Sequence, residues 1–177
     1  MRHLLVLFML LGGGPFSWPM GPEDQGLDSQ FDFFIGHWET RQRWMQEGLT
    51  FKNTEVRVHA YKVLNGMGME DDNFTQGADG ESYMGTAIRT YQPGQDRWEC
   101  RWFNAADNSW SPAFYLKKAG KTMTGAMTGS DKHGAYTDTI TFYDIGKNHF
   151  SWKMDRVYEG LDKVFEIGRI EYTRVKV

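Results

Sequence analysis

Phe150, Trp152, Met154, Arg156 and Tyr158 occupy alternate positions along one stretch of chain. Period-two spacing puts such residues on a single face of a β-strand. Trp98, Cys100 and Trp102 share a face in the same way, and Trp110 and Phe114 form a further pair. If these faces line a barrel, its interior is aromatic and Arg156 is an isolated polar anchor within it. The chemistry of such a pocket is non-covalent capture of a flat or hydrophobic molecule that carries an anionic group. The expected ligand-binding residues are therefore Trp98, Trp102, Phe114, Trp152, Met154 and Arg156. Two other readings stay open. The aromatics could fill a solid core, as side chains of small barrels often do, and Arg156 could bond Asp155 or a nearby Glu on the outer surface.

Other chemistries find less support. An isomerase or cyclase on the same barrel would use an acid–base residue such as His59, Glu99 or Asp155, with two or more titratable groups converging near Arg156. His3, His37, His59, His133 and His149 show no metal-ligand spacing. Cys100 is the single cysteine, so neither an intrachain disulfide nor a cysteine metal site can form. Its place between Glu99 and Arg101 reads as a small buried hydrophobe. Glu70, Asp71, Asp72, Asp79 and Glu81 flank a turn. An EF-hand loop counted from Asp71 would need Gly and Glu where Gln76 and Ser82 stand, so this cluster reads as a solvated hairpin end. Gly120-Lys121-Thr122 resembles the end of a phosphate loop, but Tyr115 replaces its first glycine. No cofactor and no metal is implied. Arg97-Trp98 and Arg101-Trp102 interleave basic and aromatic residues as single-strand binders do. A net charge of −3 nevertheless argues against a nucleic-acid partner.

The elements that would position these residues follow from composition and turns. The 177 residues suit one domain. An aromatic content of 15% together with 20 glycines favours an all-β chain with short connections. Ten strands are predicted at 38–45, 51–63, 67–75, 82–91, 97–103, 110–117, 122–128, 136–144, 149–158 and 164–175, separated by signals such as Asn65-Gly66 and Pro93-Gly94. Short hairpins throughout predict a single antiparallel up-and-down β-barrel, because closure removes the edge strands. A short helical turn at 31–36 would be capped by Asp28 or Ser29 and stopped by Gly36. One bulge would turn over every face downstream of it.

Before the barrel, Arg2 and His3 precede an apolar run from Leu4 to Leu11, and Gly12 to Pro15 follow. That is the order of a secretory signal. The run is too short to span a bilayer as a helix, and no cysteine directly follows it to carry a lipid. The expectation is a signal peptide at 1–21, a linker at 22–30 and the barrel at 31–177. The protein would then be periplasmic or secreted, or cytoplasmic if translation starts at Met20.

The segment Phe31-Asp32-Phe33-Phe34-Ile35-Gly36-His37-Trp38-Glu39 resembles the opening of a group of bacterial calycin-like proteins classed as domain of unknown function 1579 (DUF1579). The likeness continues through Val63-Leu64-Asn65-Gly66-Met67-Gly68-Met69-Glu70 and the stretch from Tyr91 to Trp102. It closes on Tyr172-Thr173-Arg174, covering about residues 31–175. The resemblance implies a lipocalin-like barrel and no particular activity. In such barrels a Trp after a Gly on the first strand packs across the closed end against an Arg of the last strand. Trp38 and Arg174 match that pair and would be structural, with a cation–π contact of about 0.5–2 kcal/mol. Nitrobindin-type haem barrels are less similar, since Glu39-Thr40-Arg41 stand where further glycines would follow the Trp. Three functional expectations result. The first is an exported carrier of a hydrophobic or aromatic small molecule, monomeric or homodimeric. The second is the small enzyme described above. The third is a solid barrel acting through protein contacts.

Overall fold

Alternating aromatic and β-branched residues between Gly, Asn and Pro turns give strands, and strands of this length need neighbours on both sides to satisfy their backbone groups. The computed structural model describes residues 30–77 and 80–176. The expected signal peptide and linker, the capping residues Asp28 and Ser29, and Asp79 of the acidic cluster lie outside the described residues. The strands are β1 (Gly36–Met45), β2 (Phe51–Val63), β3 (Gly68–Gly77), β4 (Gly80–Gln92), β5 (Arg97–Asn104), β6 (Ser109–Trp110), β7 (Phe114–Ala119), β8 (Thr122–Asp131), β9 (Gly134–Tyr143), β10 (His149–Tyr158) and β11 (Val164–Arg174).

Each strand pairs antiparallel with its sequence neighbour except around β6, and β1 pairs with β11. The ring is completed by β4 against β5 and by β5 against β7. The result is a closed ten-stranded antiparallel barrel, with β6 as a two-residue flap on the end of β5. The single strand expected at 110–117 is split. Pro112 has no N–H to give the ladder, and the chain leaves β5 there after Ser111 N–H donates to the Trp102 carbonyl at 2.7 Å. Trp110 consequently lies outside the barrel, 52% exposed, with its ring 5.2 Å from that of Phe103.

Two bulges interrupt the ladder. One falls opposite Asn73 and Phe74, where Met84 is the extra residue on β4. The other falls opposite Met154 and Asp155, where Ile167 is extra on β11. Both leave the inward face of β10 in register from end to end.

One end of the barrel is sealed. A single helical turn, Asp32–Phe34, lies across it, entered through Phe31 with no side-chain cap and left through Ile35 before Gly36 opens β1. Phe31 and Phe34 are buried, and the Phe34 ring stands 4.7 Å from Phe150 and 5.2 Å from Tyr172. Trp38 Nε1 donates to the Phe34 carbonyl at 2.6 Å. Arg174 lies over the Trp38 ring at 4.1 Å and donates to the carbonyls of Phe33, Ile35 and Lys147 at 2.9, 2.6 and 2.7 Å. Val56, Val58, Ala60, Met69, Leu116, Met123, Ile140 and Phe142 complete this core. Burying each of the larger ones contributes roughly 1.5–3 kcal/mol. Among the described residues no helix is long and apolar enough to cross a membrane.

Candidate functional site: the barrel interior

Above the sealed floor the inward faces turn polar. Thr40 and Gln42 of β1, Asp71 and Asn73 of β3 and Arg89 of β4 are all buried. Along β1 the side chains form a chain of donors: Trp44 Nε1 to Gln42 Oε1 at 2.9 Å, Gln42 Nε2 to Thr40 Oγ1 at 3.3 Å, and Thr40 Oγ1 to the Val56 carbonyl at 2.9 Å. Across the barrel Arg89 Nη1 pairs with Asp71 Oδ1, and Asn73 Nδ2 donates to Asp71 Oδ2 at 3.0 Å. The guanidinium also faces the rings of Phe31, Phe34 and Phe142 at 5.5, 5.2 and 5.8 Å. Arg89 Nε is buried and without a hydrogen-bond partner. Burial pushes the Asp71 carboxyl up, with Arg89 and Asn73 pulling against it. Burial likewise raises the Cys100 thiol to about 12, and burial plus the charge of Asp71 raise the Tyr172 phenol further still. The expectation of a solvated acidic hairpin end is therefore corrected for Asp71. Alternation along β3 carries Met69, Asp71 and Asn73 inward, while Glu70 and Asp72 stay outside.

The third level is the open end. Trp44, Phe114, Met127, Trp152 and Met154 are partly buried and packed on the core below, and Trp102, two residues after buried Cys100 on β5, is half-buried. Trp44 and Trp152 meet at 5.4 Å over Gly168, where a Cβ would collide with the Trp44 indole and crowd that of Trp152. Trp98 does not belong to this group. It is 4% exposed in the floor, 5.1 Å from Phe31, and its Nε1 donates to Gln30 Oε1 at 3.1 Å.

Arg156 is at the open end but is not isolated. Its Nε and Nη2 donate to both oxygens of buried Asp138 at 2.7 and 2.9 Å, and Nη1 donates to Asp131 Oδ2 at 2.8 Å. The guanidinium lies 3.4 Å above the Tyr136 ring, and Tyr158 donates to Asp131 at 2.8 Å. The paired hydrogen bonds to Asp138 hold Arg156 charged well above its ordinary range. The His133 backbone N–H, with Tyr158 and Arg156, holds Asp131 low. Two carboxylates on one guanidinium leave a net negative charge, so this cluster disfavours an anion. That corrects the expectation of Arg156 as an isolated anchor for an anionic group.

The proposed acid–base residues do not converge here. His59 faces outward, stacked on His37 at 4.1 Å. Glu99 accepts from Gln92 at 2.7 Å, and Asp155 pairs with Arg169 and Lys153 at 2.6 and 2.9 Å. The residues that sequence reasoning missed are Gln42, Trp44, Asp71, Arg89 and Asp138, and all but Arg89 had one available signal. Gln42 and Trp44 continue the alternation Trp38-Thr40-Gln42-Trp44 on β1, Asp71 that of Met69-Asp71-Asn73 on β3, and Asp138 that of Asp138-Ile140-Phe142 on β9, whereas Arg89 on β4 follows no aromatic pattern.

A sealed aromatic floor, a polar belt and an open aromatic mouth inside a closed antiparallel ring define a lipocalin-like barrel. No family model matches the chain, and no curated protein matches it. Solved structures do. The S-type phycobiliprotein lyase CPES from Guillardia theta aligns with a TM-score of 0.56 and 7% identity, over 88% of this chain and 99% of that one. Rv2717c from M. tuberculosis aligns with a TM-score of 0.51 and 11% identity, over 82% of this chain and 95% of that one. At such identities the likeness is one of fold.

Proposed function

We propose that this protein is an exported carrier that takes a hydrophobic or aromatic small molecule into the open end of its barrel. The observation that supports it is the half-buried lining of Trp44, Trp102, Phe114, Trp152 and Met154. Indoles and thioethers left partly open above a sealed core are a ready surface for a flat apolar ligand. The likeness in fold to the phycobiliprotein lyase CPES supports this reading. Export rests on the N-terminal segment, and membership of the DUF1579 group rests on the motifs of residues 31–39 and 63–70. Because the donors of Arg156 are taken by Asp131 and Asp138, the ligand in this reading is neutral or cationic at the rim. Its polar atoms, where it has them, meet the belt of Gln42, Asn73 and Arg89.

A neutral naphthylamine dye tests the proposal. Saturable binding is expected, with energy transfer from the tryptophans, and Trp152→Ala together with Met154→Ala should weaken it about tenfold, or about 1.4 kcal/mol. No saturable binding, or binding indifferent to that double substitution, overturns the proposal. Native mass spectrometry of protein purified gently from its own host would then give the class of the natural ligand.

The enzyme reading keeps one observation in its favour. Asp131, Asp138 and Tyr158 do converge on Arg156. Turnover lost in Asp138→Asn with dye binding intact would decide for it.

A further inference from the structure

We infer that the outer wall of the barrel carries a second site, a two-histidine seat for a first-row divalent metal ion. His37 on β1 and His59 on β2 stand directly opposite each other in the antiparallel ladder. Both face away from the core, His37 exposed and His59 half-buried. Their imidazoles lie 4.1 Å apart at an interplanar angle of 5°. Imidazole is a good ligand for zinc, copper and nickel, and two histidines facing each other on adjacent strands can share one ion once their side chains rotate out of the parallel stack so that one nitrogen of each points at it. The setting favours a cation. Asp72 is directly opposite His59 on β3, and Glu39 is the next outward residue after His37. A groove of about 390 Å³, lined by both histidines with Glu39, Arg57, Phe74 and Glu81, leaves space for the ion and its remaining water ligands.

Three neighbouring groups are already engaged. The Asp72 oxygens accept from Tyr61 at 3.0 Å and Tyr83 at 3.2 Å, and Arg57 pairs with Glu81 at 3.6 Å. Among the described residues no group of three or more His, Cys, Asp or Glu side chains is arranged to hold a metal ion. The ion would therefore be held by the two imidazoles and water, which is an exchangeable surface site and not a structural one. Copper is expected to bind more tightly than zinc or nickel, following the general order for nitrogen donors. The site lies outside the barrel, so it is independent of the carrier reading.

The test is titration of Zn²⁺ and Cu²⁺ into the untagged full chain, in a His3→Ala background so that the terminal amine and His3 add no copper site. One saturable equivalent is expected, with copper spectra showing two nitrogen donors. It should be lost in His37→Phe and in His59→Phe, which keep the ring stack and remove the ligand atoms. It should survive His133→Ala and His149→Ala. His37→Ala and His59→Ala serve as second variants if a phenylalanine perturbs the fold, which a thermal melt will show. Absence of a saturable equivalent overturns the inference, as does binding that persists in either single variant or disappears in the His133 or His149 control.

Discussion

Arginines 89 and 156 each pair with a buried aspartate inside the barrel, Arg89 with Asp71 and Arg156 with Asp138. Arg156 sits where the alternation of Phe150, Trp152 and Met154 carries it, but its partners come from β8 and β9, so its occupied donors could not be read from β10 alone. Arg89 follows no aromatic pattern in β4 and ends in the middle of the barrel beside Asp71. Cys100 shows the legible side of the same problem. Its place between two tryptophans at period two put it in the core, and it is fully buried there. Burial raises its thiol from an ordinary 9.0 to about 12. The folded chain thus keeps a proton that the unfolded chain has lost in that range. The associated stabilisation is complete below pH 9 and falls away as pH climbs toward 12. Ellman's reagent at pH 8 is expected to leave the native protein unlabelled and to label it stoichiometrically once urea unfolds it. Prompt labelling of the folded protein would contradict the sealed floor.

Among the elements, turns were easier to place than faces. Asn65-Gly66 and Pro93-Gly94 punctuate the chain locally, and the strands they separate form where the sequence puts them. Pro112 split one expected strand and sent Trp110 outside, because a missing N–H acts on a partner strand that sequence alone does not identify. The two bulges fall on β4 and β11, and so spare the β10 face that was assigned by alternation. Strands β3 and β4 are tied by the Asp71–Arg89 pair, whose worth depends on context. Removing one partner leaves a buried charge and costs about 3–5 kcal/mol, while replacing both with apolar residues of similar volume is often close to neutral. Urea denaturation of Arg89→Met, Asp71→Leu and the double variant is expected to show a loss of that size in Arg89→Met and substantial recovery in the double variant. Strictly additive losses would mean that the two side chains act separately.

For the molecule as a whole, closure is the governing feature. The sequence carried it as a regular series of hairpins that would otherwise leave two bare edges. The candidate site was less legible because its lining comes from most of the strands, and only the completed ring brings them together. Arg174 joins β11 to the helical turn through three carbonyls and the Trp38 face. Truncating it in Arg174→Ala should cost about 2–4 kcal/mol. Hydrogen exchange should rise first at residues 31–38, leaving the strands of the open end protected. Uniform loss of protection around the ring would show that the floor and the walls open together.

The pairing of β1 with β11 also sets an order of events during synthesis. Among the described strands β1 has one neighbour within reach as soon as β2 is made, but its other neighbour, β11, follows all the rest of the barrel. Until β11 emerges, the growing chain is a curled sheet with two unsatisfied margins and its aromatic lining uncovered, and the nascent protein is most open to mispairing in that interval.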